Sequence, residues 1–362
     1  MQNLKIKLKK IIVKTDIYKT IAAILFDYNY KTLFGTSKTE IIKAEKIIMK
    51  DSKIIWVGIN ENSDRSGLLQ GLTETFKTKV YRNKNNEYGV GNNSIYDQKK
   101  IDHNSKLFLN DIIEEVENKR VDVIIGQFMG ININTITLKK IRDMGVKVIS
   151  LSWDDKLTYL WRKDYNKSCH SISKQLDFVL CSSMDALPKY KNALFFPLGS
   201  SKEIFYSDTE SFKEIDILFV GNNYGYRNII LQYLVNKGFK IECYGNGFDN
   251  GFIDFEKAAE KFKNSKIILG IGYVSHSKKI TTLKLRDFDS MISGALYITS
   301  YNYELNHLFN NIIPTYNNLK DLNNTLNYYL KNKRERLQLA KCQQEEILDK
   351  YEWRSLFNKL KY

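Results

Sequence analysis

The chain has 362 residues, 43% hydrophobic and 27% charged, an ordinary globular composition that excludes a disordered or low-complexity protein. Lysine and arginine number 56 against 41 aspartate and glutamate, a formal charge of +15 that calls for an acidic partner: nucleic acid, anionic lipid or a phosphorylated substrate. The 4 cysteines, Cys169, Cys181, Cys243 and Cys342, form no C-x-x-C pair, which argues against a disulfide scaffold or structural zinc and for a reducing, cytoplasmic setting. A chain of this length exceeds what one hydrophobic core usually serves, so two domains are expected.

The opening segment is basic. Leu4, Leu8, Ile11 and Ile12 would share one face of a helix whose other positions include Lys5, Lys7, Lys9 and Lys14. Such a stripe packs on the protein body with its lysines solvated; the second reading is a helix lying on an anionic membrane, at the inner face in a cytoplasmic protein. Interrupting lysines and the lack of a small-residue cleavage site argue against a signal peptide. No stretch reaches the ~18 apolar residues of a membrane span. Residues 1–50 are accordingly read as a basic helical extension.

Strands and helices then alternate. Lys53–Ile59 is a short apolar run, read as a buried parallel strand. The loop Asn60–Ser66, a helix over Gly67–Phe76 and a strand at Thr78–Tyr81 follow. After a polar stretch, Asn83–Asn104, come a helix (Leu107–Asn118), a strand (Val121–Gly126), a helix (Thr135–Met144), and a strand over Val146–Leu151 that runs into Trp153-Asp154-Asp155. Phe178–Cys181 and Ala193–Phe196 are two more short strands. A polar linker is expected over 201–214. A second alternation begins with the strand Ile215–Val220, the turn Gly221–Arg227 and a helix over Asn228–Asn236. It continues with the strand Lys240–Tyr244, the helix Phe255–Phe262, the strand Ile267–Gly270, the helix Leu285–Ile292 and the strand Ala295–Thr299. Helices at Leu319–Leu330 and Arg334–Lys350 follow, with Tyr351-Glu352-Trp353 beyond. Two such halves imply an α/β protein of two Rossmann-like, doubly wound domains facing across a cleft, whose ligands bind beyond the carboxyl ends of the strands.

Two segments carry cations where a phosphate could sit. The turn Gly221-Asn222-Asn223-Tyr224-Gly225-Tyr226-Arg227 joins a strand to a helix, whose N-terminus offers free N–H groups to an anion, and Arg227 adds a bidentate donor. It is neither G-x-G-x-x-G nor a Walker A sequence, and a tight turn with a surface arginine is the competing reading. In the second segment Lys284 and Arg286 stand at a helix start with Asp289 one turn on. Cations that neutralise a diphosphate beside a carboxylate that accepts ribose hydroxyls are what a nucleoside diphosphate requires; a solvated charged helix face is the alternative.

Arg286-Asp287-Phe288-Asp289-Ser290-Met291-Ile292-Ser293-Gly294, the strand ending at Thr299, Glu304-Leu305, Leu308-Phe309, Asp321-Leu322, Arg334-Glu335-Arg336 and the closing Tyr351-Glu352-Trp353-Arg354 together resemble the C-terminal half of CgeB-like glycosyltransferases. The resemblance covers Ile215–Leu360 and is architectural over Lys53–Ser200. It implies a GT-B fold with an acceptor domain over 51–200, a donor domain over 215–340, and residues 341–362 returning toward the first domain. It further implies a metal-independent glycosyltransferase with no bound cofactor and a nucleotide-diphosphate sugar as donor, a UDP-sugar foremost. Gly221, Asn222, Tyr226, Arg227, Lys284 and Arg286 would line the diphosphate site, Tyr244 and Gly245 would flank the base, and Asp289 would meet the ribose. Asp289 falls where the second carboxylate of a related Glu-x7-Glu motif stands; Thr281 replaces the first. If the reaction inverts, the catalytic base is expected from the first domain: Asp154 or Asp155 at a strand end, where helix capping is the competing role, or Asp64 in the first βα loop. His103, His170, His276 and His307 are isolated, and no metal site is expected. The acceptor is unidentified: a glycan, lipid-linked saccharide, protein or nucleic acid. Two other readings stand beside this one, a non-enzymatic basic nucleic-acid-binding module, which no helix-turn-helix, zinc finger or aromatic RNA motif supports, and a sugar-nucleotide epimerase of GT-B architecture.

Overall fold

The computed structural model describes residues 24, 27, 46–91, 97–153, 155–156, 168–274 and 277–362, with Asn62 and Ser63 described by their backbone only. The basic opening segment, Asp154 and His276 lie outside the described residues.

The N-terminal half forms a six-stranded sheet of strands β1 (Lys53–Val57), β2 (Lys77–Val80), β3 (Val123–Gly126), β4 (Lys147–Ser152), β5 (Phe178–Cys181) and β6 (Ala193–Phe195). Their order is β2-β1-β3-β4-β5-β6 and every pairing is parallel. β1, β3 and β4 are buried almost end to end, which is why they read as unbroken apolar runs rather than alternating ones. Helices α1 (Glu61–Asp64), α2 (Leu68–Thr75), α3 (Gln98–Glu117) and α4 (Thr135–Asp143) connect the first four strands. α3 begins at Gln98 rather than at Leu107, inside the stretch expected to be polar loop. Asp97 caps it, its carboxylate accepting from the backbone N–H of Lys99 and Lys100 at 3.1 and 3.3 Å, and Ile101 is buried on its inner face.

The second sheet contains β7 (Ile215–Val220), β8 (Ile241–Tyr244), β9 (Ser265–Gly270), β10 (Leu296–Ser300) and β11 (Thr315–Tyr316), parallel throughout in the order β11-β10-β9-β7-β8. The remaining helices are α5 (Lys202–Phe205), α6 (Arg227–Asn236), α7 (Phe255–Lys263), α8 (Leu285–Ile292), α9 (Tyr303–Leu308), α10 (Leu319–Lys331), α11 (Lys333–Lys350) and α12 (Trp353–Asn358). In each sheet the strand order reverses once, between β1 and β3 and between β7 and β9. Those are the points where adjacent connections leave in opposite directions and open a crevice beyond the strand ends.

The segment 201–214 is not a solvated tether. It contains α5, whose Phe205 is buried against Phe255 and Phe262 with ring centroids 5.2 and 5.7 Å apart, and it buries Lys213. The C-terminus crosses between the halves. α11 packs on α8 and β10, while α12 packs on α2 so closely that a Cβ at Gly71 would lie 2.6 Å from the Trp353 Cβ. Trp353 stacks on Trp153 at 6.0 Å, and Ser200 exchanges backbone hydrogen bonds with Tyr351 and Trp353 at 3.0 and 3.1 Å. The short helices α9 and α12 have too few residues for periodicity to reveal them; α9 owes its start to Asn302, whose side chain accepts from the Leu305 N–H at 3.1 Å.

Candidate functional site

At the carboxyl ends of β7 and β8 two glycines let the chains touch. The Gly221 N–H donates to the Tyr244 carbonyl at 2.8 Å, and a Cβ on Gly245, whose φ is +133°, would stand 2.3 Å from the Gly221 oxygen. The loops beyond are tied together: Asn222 Oδ1 accepts from the Asn246 N–H at 3.2 Å, and the Asn223 N–H donates to the Asn246 carbonyl at 2.8 Å. Asn222 therefore braces the loop with its side chain. Tyr226 stands at the N-cap of α6 without capping it, and Lys278 Nζ lies 4.5 Å from the centre of its ring. Tyr244 turns its hydroxyl to Glu242 at 2.9 Å and its ring to Lys261, so only its backbone joins the Gly221 turn.

Arg227, first residue of α6, and Arg286, in the first turn of α8, meet over the β7–β9 reversal. They are 4% and 8% exposed. Arg227 donates to the carbonyls of Asn222 at 2.7 Å and Ile271 at 3.3 Å; Arg286 donates to Val220 and, at 3.5 Å, to the same Ile271 oxygen. The Phe219 ring lies under both guanidinium groups, 5.6 and 4.9 Å from their centres, and Tyr224 covers Arg227 at 4.0 Å. Both Nε atoms are buried with no partner. Among the described residues neither arginine has a carboxylate ion-pair partner. Asp287, next along α8, has its oxygens occupied by the Tyr297 hydroxyl and, at 2.7 Å, the Lys284 N–H. Burial first, and then the Arg286 charge, lower the Arg227 pKa to about 10. Two desolvated like charges held by carbonyls alone are a receptor for an anion.

Lys284 is the half-buried residue that opens α8. Asp289 is buried on the same helix, accepts from the Ser200 hydroxyl at 2.8 Å, and has its pKa pushed well up by burial. It borders a cavity of about 340 Å³ together with Arg286, Val220, Phe252 and Phe255.

The first sheet supplies Asp64, in the helical turn after β1. It is 5% exposed, its Oδ2 accepts from the Trp56 indole N–H at 2.6 Å, and its Oδ1 is buried without a partner. Burial raises its pKa to about 7; the indole bond opposes this and the nearby Glu61 charge adds to it. Asp64 borders a cavity of about 770 Å³ whose walls include Arg65 and Phe255, and both of those residues also line the cavity at Arg286 and Asp289. The two cavities thus adjoin, one from each sheet. Asp155 is placed differently. It is 1% exposed, with the Tyr190 hydroxyl donating to Oδ1 and the Cys181 thiol to Oδ2 at 3.2 Å, and it lines neither cavity.

Thr281, where a carboxylate was expected on family grounds, donates its hydroxyl to the Tyr301 carbonyl at 3.2 Å and accepts on its own carbonyl from Lys156 at 3.0 Å. Lys156 also reaches Glu304 at 2.6 Å and Asp185 at 3.4 Å, a buried ionic strut from the end of β4 to α9. Lys156 did not stand out in the sequence, and Glu304 did so only within the Glu304-Leu305 pair of the resemblance, with no sign of an ionic partner. Tyr88, a wall of the larger cavity, stood in a polar stretch with no motif. Among the described residues no group of three or more His, Cys, Asp or Glu side chains could hold a metal ion, and no helix is long and apolar enough to cross a membrane.

Two parallel α/β sheets, each with one reversal of strand order and flanked by helices, have the GT-B architecture of solved glycosyltransferases. Residues 227–361 match the family model described as glycosyl transferase-like. Among solved structures the chain is similar to a sucrose-phosphate synthase from Thermosynechococcus elongatus, with 12% identity and a TM-score of 0.55 over 84% of this chain and 96% of that one. It is similar at 9% identity and the same TM-score of 0.55 to an α-glucosyltransferase in complex with UDP-glucose and DNA containing an abasic site, over 84% and 97% of the two chains. A glycosyltransferase involved in avilamycin A biosynthesis aligns at 12% identity and TM-score 0.55 over 84% and 94%. No curated protein sequence matches the chain. The matched domain and the shared fold support glycosyl transfer as the reaction class.

Proposed function

We propose that the protein is a glycosyltransferase that takes a sugar from a nucleoside-diphosphate donor, with Arg227 and Arg286 holding the diphosphate. The observation that carries this reading is the buried guanidinium pair at the strand-order reversal, which has no carboxylate partner among the described residues. As the bond to the anomeric carbon breaks, negative charge grows on the leaving diphosphate, and fixed cations in a desolvated crevice stabilise it without reorganising. That supplies the leaving-group role a metal would otherwise play, and turnover should survive a chelator. Lys284 at the start of α8 adds a third cation, Gly221 keeps the turn open to the phosphates, and Asp289 meets the ribose. UDP-glucose bound to a solved relative of the same fold supports uridine as the base. Residues 51–200 form the acceptor half, 215–340 the donor half, and 341–362 return to the first; the motif set quoted above favours the CgeB-like branch. Asp64 is the base of the reaction and Asp155 a structural carboxylate.

Thermal-shift titration with UDP, GDP, TDP and their sugars tests the reading, since a ligand that binds only the folded state raises its melting temperature. A shift with one nucleotide that disappears in Arg286→Ala is the expected result. No shift with any of them, together with tight salt-sensitive binding to DNA or RNA, overturns it.

A further inference from the structure

The second sheet carries another pair of buried cations, at the end opposite the Gly221 turn. Lys213, just before β7, and Arg336, in the first turn of α11, are 7% and 6% exposed. Both line a cavity of about 660 Å³ at the amino ends of β7, β9 and β10. The length of β7, at about 3.3 Å per residue, puts roughly 20 Å between this cavity and the Gly221 turn. Each cation is held by carbonyls at helix C-termini, where positive charge is favoured. Lys213 Nζ donates to the carbonyls of Lys263, the last residue of α7, at 2.8 Å and of Ser293, just past α8, at 3.5 Å. Arg336 Nη1 donates to the carbonyls of Tyr329 and Leu330, near the end of α10, at 2.7 and 3.3 Å. Helix capping accounts for those bonds, yet an ammonium and a guanidinium have more N–H groups than these. Arg336 Nε and Nη2 have no acceptor among the described residues, and unlike the Nε atoms of Arg227 and Arg286 they are not shut off from water. Neither cation has a carboxylate ion-pair partner among the described residues. Asp216, on the same wall, is taken by Lys266 at 2.6 Å, and Glu210 and Glu214 are exposed at the rim. Burial lowers the Lys213 pKa to about 8; Asp208 opposes this and the Arg336 charge adds to it, so the two cations feel each other. Lys333, exposed at the mouth, adds a third positive charge.

We propose that this cavity binds a small phosphate-bearing molecule, with its phosphate held between Lys213 and Arg336 and the rest of it turned toward the rim. Nε and Nη2 form the side of a guanidinium that takes two oxygens of one anion, and this is the side that capping through Nη1 leaves unused. The phosphate has a further oxygen for the Lys213 ammonium. It would also supply the counter-charge that two desolvated cations otherwise lack. Glu210 and Glu214 at the rim can accept hydroxyls of the ligand, while they repel the repeated phosphates of a long polyanion. A small molecule therefore suits the site and nucleic acid does not. The site lies at the far end of the sheet from Arg227 and Arg286 and does not rest on the transferase reading.

The test uses the full chain with inorganic phosphate, glycerol 3-phosphate and glycerol, followed by phosphorus NMR for the phosphates and calorimetry for all three. Both phosphates should bind at millimolar concentration or below, and glycerol should not. Tighter binding of glycerol 3-phosphate identifies a phosphomonoester as the occupant, and tighter binding of inorganic phosphate identifies the free ion; either supports the site. Arg336→Gln and Lys213→Met should each weaken phosphate binding at least about 10-fold, the scale of one charge-assisted hydrogen bond. Arg286→Met, at the other end of the sheet, should leave it in place. Both Lys213 and Arg336 cap helices, so Lys333→Glu at the exposed mouth serves as a variant that keeps those caps, and it too should weaken phosphate. Absence of phosphate binding overturns the proposal. So does binding that is lost in Arg286→Met, or binding that is unchanged in the folded Arg336, Lys213 or Lys333 variants.

Discussion

Arg227 and Arg286 donate to one oxygen, the Ile271 carbonyl, at 3.3 and 3.5 Å, so two buried positive charges converge on a single acceptor. Without an anion each pays the other's repulsion. Arg286→Met should therefore raise the melting temperature of the ligand-free protein while weakening UDP binding by about 10- to 100-fold, the scale of one or two charge-assisted hydrogen bonds. Arg286→Lys should recover little affinity, because a lysine lacks the planar fork. A variant that lost affinity and stability together would mark Arg286 as structural.

Asp64 carries a carboxyl whose pKa is raised to about 7. A base must be ionised, so kcat/KM should climb with pH and level off above about 7, and Asp64→Asn should lower it by about 10²- to 10⁴-fold and flatten the profile. The stability effect has the opposite sense. The folded state holds this proton more tightly than the unfolded chain, so the contribution is present at low pH and is lost as pH rises through 7. Asp64→Asn should then melt higher than the parent at pH 8, by up to a few kcal/mol, with little difference at pH 4. Urea titrations at the two pH values measure it.

Lys156 and Glu304 tie the end of β4 to α9 at 2.6 Å, and both are buried. Removing only the lysine leaves a carboxylate with no counter-charge, and Lys156→Met should cost about 3–5 kcal/mol. The double variant Lys156→Met with Glu304→Leu should recover most of that loss. A double-mutant cycle by chemical denaturation checks it; additivity of the two single losses would show the pair is not coupled.

Trp353 is buried between Trp153 and Phe357, with ring centroids 6.0 and 6.2 Å away, on the helix that joins the C-terminus to α2. Trp353→Ala should destabilise by about 3–5 kcal/mol through the cavity it leaves. On the proposed reading UDP is held by the second sheet, so its binding should persist below the lowered melting temperature.

Much of this fold is legible along the chain for one reason. Strands covered on both faces, such as β3 and the body of β9, must be largely apolar, and Val123–Gly126 and Ile267–Gly270 show it. The polar start of α3 hid its cap, and the shortness of α5, four residues within a mostly polar stretch, hid it. The arginines were legible as cations at helix starts. Their shared oxygen was not, because α6 and α8 are brought together only by the order of β7 and β9.

The alternation of strands and helices and the placement of Arg227 and Arg286 at helix starts follow from residue pattern alone, since apolar runs and helix starts are local properties. Only the tertiary structure distinguishes the candidate carboxylates. Asp64 and Asp155 look equivalent along the chain, yet one has a free buried oxygen on a cavity and the other has its oxygens taken by Tyr190 and Cys181. Desolvation and hydrogen-bond occupancy belong to neighbours in space. The same holds for the +15 charge, which is plain in the composition but absent from the walls of the Asp64 cavity, where each cation already has its anion.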